Sequence, residues 1–209
     1  MSENYDNRYV PATTREQEKT THKHWRLTKS QYLFYYWLIA NSCWSNGERH
    51  YYIYDNAWTK KAAAEACGVS TKTIERAVPA LEEQGIIRRS EYSKAYEIYW
   101  PYDVNVSLNK DLLLALISLN KVLDVYTLIK LFSLLLYAYH KHLYTFTIVD
   151  LETALGMNTG MSEHVLLMAM LGLFEHWHLL QLTQEHKQIK GIKYIQYTIE
   201  DIRSNMDGI

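Results

Sequence analysis

The stretch from Trp58 to Ile87 constrains this chain most, because the signals for two short helices and a tight turn fall there in order. Thr59 is an N-cap residue ahead of the alanine-rich run Lys60–Cys67, and Gly68 supplies the left-handed residue that stops a helix. Ser70 caps a second, longer helix in which Ile74, Ala77, Val78 and Leu81 share one face. Pro79 lies inside that pattern and removes a backbone hydrogen bond, which predicts a kink or bend. Gly85 ends the helix. Ile86–Tyr92, a Ser93-Lys94 turn and Ala95–Trp100 then read as a β-hairpin closed by Pro101. In its second arm Tyr96, Ile98 and Trp100 alternate with Ala95, Glu97 and Tyr99, as in a strand with one face on a core.

Each residue type in the turn has a physical task. Gly68 lets the chain reverse between the helices, Val69 plugs the angle between them, and Ala62–Ala64 with Ala66 allow close packing. Ser70 leaves the free amides and positive dipole end of the second helix pointing outward, which suits a phosphate. The full run is Trp58-Thr-Lys-Lys-Ala-Ala-Ala-Glu-Ala-Cys-Gly-Val-Ser-Thr-Lys-Thr-Ile-Glu-Arg-Ala-Val-Pro-Ala-Leu-Glu-Glu-Gln-Gly-Ile-Ile. It resembles the winged helix-turn-helix family, in the version common among plasmid and phage replication initiators and small bacterial regulators. The motif covers residues 58–90, the layout 28–101, and the architecture alone 121–203. The resemblance implies double-stranded DNA as partner. Ser70, Thr71, Lys72, Thr73 and Arg76 would meet bases and backbone in the major groove. Lys60 and Lys61 would clamp phosphates beside it, and Arg88, Arg89 and Lys94 would reach the adjacent backbone or minor groove.

The remaining text divides around that unit. Residues 1–26 are a polar arm with no apolar period, expected to be disordered or pinned only at Trp25. Within residues 27–104, Thr28 caps a mostly buried helix carrying Tyr32, Tyr35, Tyr36 and Trp37. Asn41–Gly47 breaks it, and Tyr51–Tyr54 favours a short strand. Residues 105–120 form a hydrophobic connecting helix, and 109–140 as a whole reads as one long or two consecutive helices. Being apolar nearly all round, that stretch must be covered by its own domain or by a second copy. Residues 121–203 repeat the first layout. Thr147–Gly156 stands for the short helix, Ser162–Phe174 for the longer one, and Leu179–Glu185 with Lys193–Ile199 for the hairpin. Residues 204–209 are a tail.

The second unit differs chemically from the first. Its longer helix opens Asn158-Thr-Gly-Met-Ser-Glu-His and continues without Lys or Arg, so its Met- and Leu-rich faces point to core, dimerisation or partner docking. Only its hairpin, with His186, Lys187, Lys190 and Lys193, is suited to a second DNA contact. A homodimer through the 109–140 helices or the C-terminal unit is therefore expected.

The formal net charge of −1 hides this division: residues 58–94 carry seven basic and five acidic groups, residues 144–209 four basic and eight acidic. The sum excludes indiscriminate polyanion binding, not a focused contact. With only two cysteines, Cys43 and Cys67, the chain makes neither a disulfide framework nor a four-ligand zinc site. The pairs His140-x-His142 and His176-x-His178 lack metal-site spacing, and no cofactor motif, P-loop or nucleophile elbow is present. These absences predict no metal, no cofactor and no enzyme activity. The greasiest stretch, 112–139, is interrupted by Asn120, Lys121, Asp124 and Lys130, and no secretory signal opens the chain. A cytoplasmic, nucleoid-associated location without membrane partners is expected.

The expected fold is mainly α with small β-hairpin wings (α+β), as tandem winged-helix units joined by a hydrophobic helix. The expected function is sequence-specific duplex DNA binding, as a plasmid or phage replication initiator or a transcriptional regulator. The competing expectation is a non-enzymatic winged-helix adaptor that binds a protein.

Overall fold

A computed structural model describes residues 9–11, 27–45, 50–99 and 107–203. Among them the chain is α+β, with seven α-helices and small antiparallel sheets. Helix α1 (Lys29–Ala40) begins in a capping box: Gln31 N donates to Thr28 Oγ1, and Thr28 N donates to Gln31 Oε1 at 2.7 Å. Every residue from Tyr32 to Ala40 is buried, so this helix has no solvent face and lies in the middle of the molecule.

Around it come β2 (Cys43–Ser45), β3 (His50–Tyr54), α2 (Lys60–Cys67), α3 (Thr71–Glu83), β4 (Ile87–Arg89) and β5 (Ala95–Ile98). The four strands form one sheet in the order β2-β3-β5-β4. Strand β6 (Ser107–Asn109) leads into α4 (Lys110–Ser118), and a 3-10 turn (Leu119–Lys121) precedes α5 (Val125–His140). The stretch 109–140 is therefore two helices. Next come β7 (Thr145–Phe146), α6 (Ile148–Leu155), α7 (Met161–His176), β8 (Leu180–Ile189) and β9 (Ile192–Ile202), with sheet order β7-β9-β8.

Several expectations change. In the N-terminal arm, β1 (Tyr9–Pro11) pairs antiparallel with β6, so the arm is tied down away from Trp25, which lies outside the described residues with most of the arm and the 204–209 tail. Cys43–Ser45, expected as part of a break, is the edge strand β2 because β3 offers it a partner. Helix α3 holds Pro79 inside it, as the sequence pattern expects, with the ring exposed on the surface. Strand β5 does not alternate: Ala95, Glu97 and Ile98 are all buried, because β5 is an interior strand covered on both faces. Ala62 is exposed, while Ala63 and Ala64 make the close approach. Trp100 and Pro101 lie outside the described residues.

The halves repeat each other at the level of backbone bonds. Thr59 and Thr147 are N-caps whose side chains accept from the residue three positions on. Gly68 (φ 61°) and Gly156 (φ 65°) end α2 and α6 in the left-handed conformation. Val69 N then donates to Ala64 O at 3.0 Å, and Met157 N to Glu152 O at 2.9 Å. Ile86 N donates to Leu81 O and Leu179 N to Phe174 O, both at 2.9 Å, at the ends of α3 and α7. Tyr99 N reaches Ile86 O and Arg203 N reaches Leu179 O, both at 2.8 Å. Strand order agrees too: β3-β5-β4 corresponds to β7-β9-β8. One apolar core serves both halves, with α4 packed on α1, and Phe132 of α5 lying 4.8 Å from Phe174 of α7 between ring centroids.

Candidate nucleic-acid interface

The α2–α3 unit is held by local bonds that leave its outward face free. Ala62 N donates to Thr59 Oγ1 at 3.0 Å, opening α2 so that Lys60 and Lys61 emerge exposed from its first turn. At the other end Asn120, from the 3-10 turn before α5, donates its side-chain amide to Cys67 O and so caps α2 from the far side of the connection. Burial pushes the Cys67 thiol up to about 12, so it is a packed, protonated side chain. Thr73 N donates to Ser70 Oγ at 3.1 Å, and the two hydroxyls lie 2.9 Å apart. Ser70 and half-buried Thr73 are thus engaged in capping. Ile74, Ala77 and Leu81 are buried beneath α3, while Thr71, Lys72 and Arg76 stand exposed above it.

The charges on these two helices run against their dipoles. Neither α2 nor α3 has an acidic residue in its first turn or a basic one in its last. Instead Lys60, Lys61 and Lys72 crowd the N-termini, and Glu82 and Glu83 close α3. Each such placement forgoes about 0.3–1 kcal/mol of helix stability at low salt. It creates a cationic rim around free amides. The other half shows the ordinary arrangement: Asp150 in the first turn of α6, Glu163 in the first turn of α7 and His176 in its last.

The cations have different commitments. Lys60 pairs with Glu75 of α3 at 3.5 Å and Lys61 with Glu65 at 3.9 Å, both between exposed side chains that water and salt loosen easily. Lys72 and Arg76 make no ion pair with any described residue. Arg88 is held by Glu97 through Nε (3.1 Å) and Nη2 (2.6 Å), which raises the guanidinium's pKa. Glu97 is buried, so Arg88 covers an interior carboxylate. Arg89, on the opposite face of β4, makes a two-pronged pair with Asp55 and lies 4.9 Å over the Tyr96 ring. That hydrogen bond from Arg89 holds the Asp55 carboxyl below its usual range. Asp55 N also donates to Lys94 O at 2.9 Å, so the strap before α2 and the hairpin turn are joined.

The structure therefore brings Lys60 and Arg89 to one open cleft of about 210 Å³ with Asp55, Trp58, Val78 and Tyr96. Thr71, Lys72 and Arg76 share the outer face of α3, and Lys61 stands on α2. Arg88 points to a second depression of about 310 Å³, beside Glu82 and Tyr99. Sequence reasoning missed Asp55 and Glu97, the carboxylates that hold the hairpin arginines. Periodicity gave no signal for Asp55 and placed Glu97 on an outward face. It also missed Asn120 and Tyr92, the latter 95% exposed at the hairpin tip.

No family model, curated protein or solved structure matches this chain.

In the second half, α7 exposes Met161, His164, Val165, Ala169 and Gly172 with no Lys or Arg. Lys187 pairs with Glu185 at 3.2 Å, while Lys190 and Lys193 lie at the β8–β9 turn without an ion pair to any described residue. Among the described residues no three His, Cys, Asp or Glu side chains gather as metal ligands, and no helix is long and apolar enough to cross a membrane.

Proposed function

We propose that this chain is a sequence-specific duplex-DNA-binding protein of the winged helix-turn-helix kind, acting as a plasmid or phage replication initiator or a transcriptional regulator. The observation that carries the reading is the inverted charge of α2 and α3. Exposed cations sit where they weaken the helices and where an anion would be held by amides and dipole together. Thr71, Lys72 and Arg76 then read the groove, Lys60 and Lys61 take phosphates, and Arg89 and Lys94 brace the hairpin beside them. Arg88 acts mainly through Glu97, stiffening the hairpin.

Assembly belongs to the second half in this reading. Leu112, Leu113, Leu116, Leu128 and Phe132 of the 109–140 helices are buried in the chain's own core, so those helices have little left to offer a second copy. The outward face of α7, with Met161 83% and Val165 61% exposed and no Lys or Arg, is the surface for a homodimer.

The test is selection from a random duplex pool, followed by binding of the enriched site. Lys72→Ala with Arg76→Ala should lower affinity at least about 30-fold and flatten base preference, with unchanged helicity, because both side chains are solvent-exposed. Affinity of the native chain should also fall steeply with salt. Failure to enrich any duplex would leave the adaptor reading in its place.

A further inference from the structure

Strand β8 is the outer strand of the sheet β7-β9-β8, and among the described residues no strand pairs with its far side. At ten residues it is long for an edge, and edges of that length are normally interrupted by proline or a bulge. Here there is no proline, and the one irregularity, at Gln181/Leu182, lies at the root. The outer part also runs past the core. Leu180, Tyr197, Ile199 and Ile202 are buried, whereas from Thr183 to Ile189 only Lys187 is even half-buried.

The turn decides which backbone groups of that edge are free. Lys190 (φ 50°) and Gly191 (φ 84°) form a two-residue turn with both φ angles positive, so Ile189 and Ile192, which flank it, exchange backbone bonds. Bonded pairs then alternate along the ribbon. The backbone groups of Lys187, Glu185 and Thr183 face β9, and those of Gln188, His186 and Gln184 face outwards. The root keeps the same phase: Ile199, opposite Leu182, donates its N–H away from β8 to Tyr144 O at 2.8 Å. The sequence around His186 is self-complementary on this edge. With two β8 strands antiparallel and His186 opposite His186, Glu185 of each copy falls opposite Lys187 of the other, and Gln184 opposite Gln188. The outward groups of Gln184, His186 and Gln188 then bond, and the two Glu185–Lys187 pairs take the closer, non-bonded positions. Within one chain Glu185 and Lys187 already lie 3.2 Å apart on one face. Other registers fail: an axis at Glu185 or Lys187 sets like charges opposite each other, and one at Gln184 or Gln188 leaves both charges without an opposite number.

We propose that the outer edge of β8 is an interface with a second copy of this chain, in which two β8 strands pair antiparallel about His186 and join their three-stranded sheets into one. The contact consists of backbone hydrogen bonds and reciprocal Glu185–Lys187 pairs, and it covers part of Ile189, 59% exposed, with Thr183 of the other copy. It is separate from the α7 face and independent of what the chain binds. Two self-complementary surfaces on one chain build an assembly larger than a dimer.

The experiment is sedimentation of the full chain without nucleic acid, over a range of concentrations. Glu185→Lys, at an exposed position that tolerates the change, sets Lys opposite Lys and should weaken one association step about 10-fold or more. Adding Lys187→Glu to the same chain restores opposite charges and should recover the native assembly. An equal mixture of the Glu185→Lys and Lys187→Glu chains should also associate. Val165→Glu, on α7, should leave the β8-paired dimer intact. Amide exchange reads the edge directly: Gln184, His186 and Gln188 should be protected in the assembly and lose protection on dilution. An unchanged assembly in Glu185→Lys, or a loss that the double reversal does not recover, overturns the proposal. Protection of those amides at every concentration would identify another segment of the same chain as the occupant and overturn it too. Splitting by Glu185→Lys with no effect of Val165→Glu supports the β8 pairing and removes α7 as an assembly surface.

Discussion

Arg88 and Arg89 are adjacent in the sequence and are committed to different carboxylates on opposite faces of β4. Basic residues on a hairpin of this kind read as free phosphate anchors because sequence records a charge and not its partner. Asp55 and Glu97 are far from the arginines in sequence and enter only through the register that places β5 between β3 and β4. The Arg89–Asp55 pair gives a pH prediction. Asp55 titrates below its ordinary 3.8, so the strap-to-hairpin clamp is complete above that value and is lost as pH falls through the depressed one. Carboxyl NMR should show this low midpoint, and Arg89→Ala should return it to the ordinary range. On the other face, Arg88→Ala leaves the buried Glu97 carboxylate uncompensated and should lower the urea midpoint. Adding Glu97→Gln should recover part of the loss.

The two helices and their turn were legible because every signal for them is local: caps at Thr59 and Ser70, a left-handed stop at Gly68, and one apolar face on α3. Strands β1, β2 and β6 were not, since each exists by virtue of a partner elsewhere in the chain. The repeat was visible only as layout because, apart from the Thr59/Thr147 and Gly68/Gly156 caps, it is backbone bonds and not side chains that recur. Two glycines show how context sets the price of one conformation. Gly68 and Gly85 both have positive φ, but a Cβ at Gly68 would meet the Asn120 amide at 2.8 Å, whereas at Gly85 it meets nothing within 4 Å. Gly85→Ala should cost about 1–2 kcal/mol, the left-handed penalty alone, and Gly68→Ala measurably more by urea denaturation. His178, at the position equivalent to Gly85, takes φ 53°, so that site accommodates a side chain.

At the scale of the molecule, the net charge of −1 conceals two halves of opposite sign, and aromatic side chains enter the core on both sides, through Tyr32, Phe34, Tyr35, Tyr36 and Trp37 of α1 and through Phe132, Phe146, Phe174 and Tyr197. That core spans both halves. Phe174 is fully buried against Phe132, so Phe174→Ala should cost about 3–5 kcal/mol. Hydrogen exchange should show amides of α2 and α3 losing protection together with those of α6 and α7, in one cooperative transition. Asn120 adds a link of its own, since the cap on α2 comes from the turn that leads into the second half. A body without an internal joint behaves towards a duplex as a gauge. Under the proposed DNA-binding function, any contact made by the second half would be fixed in separation and helical phase relative to α3, so inserting about half a turn of DNA, roughly five base pairs, between the two footprints would carry one to the opposite side of the duplex. Target spacing would then be inherited from a hydrophobic core that never touches the DNA.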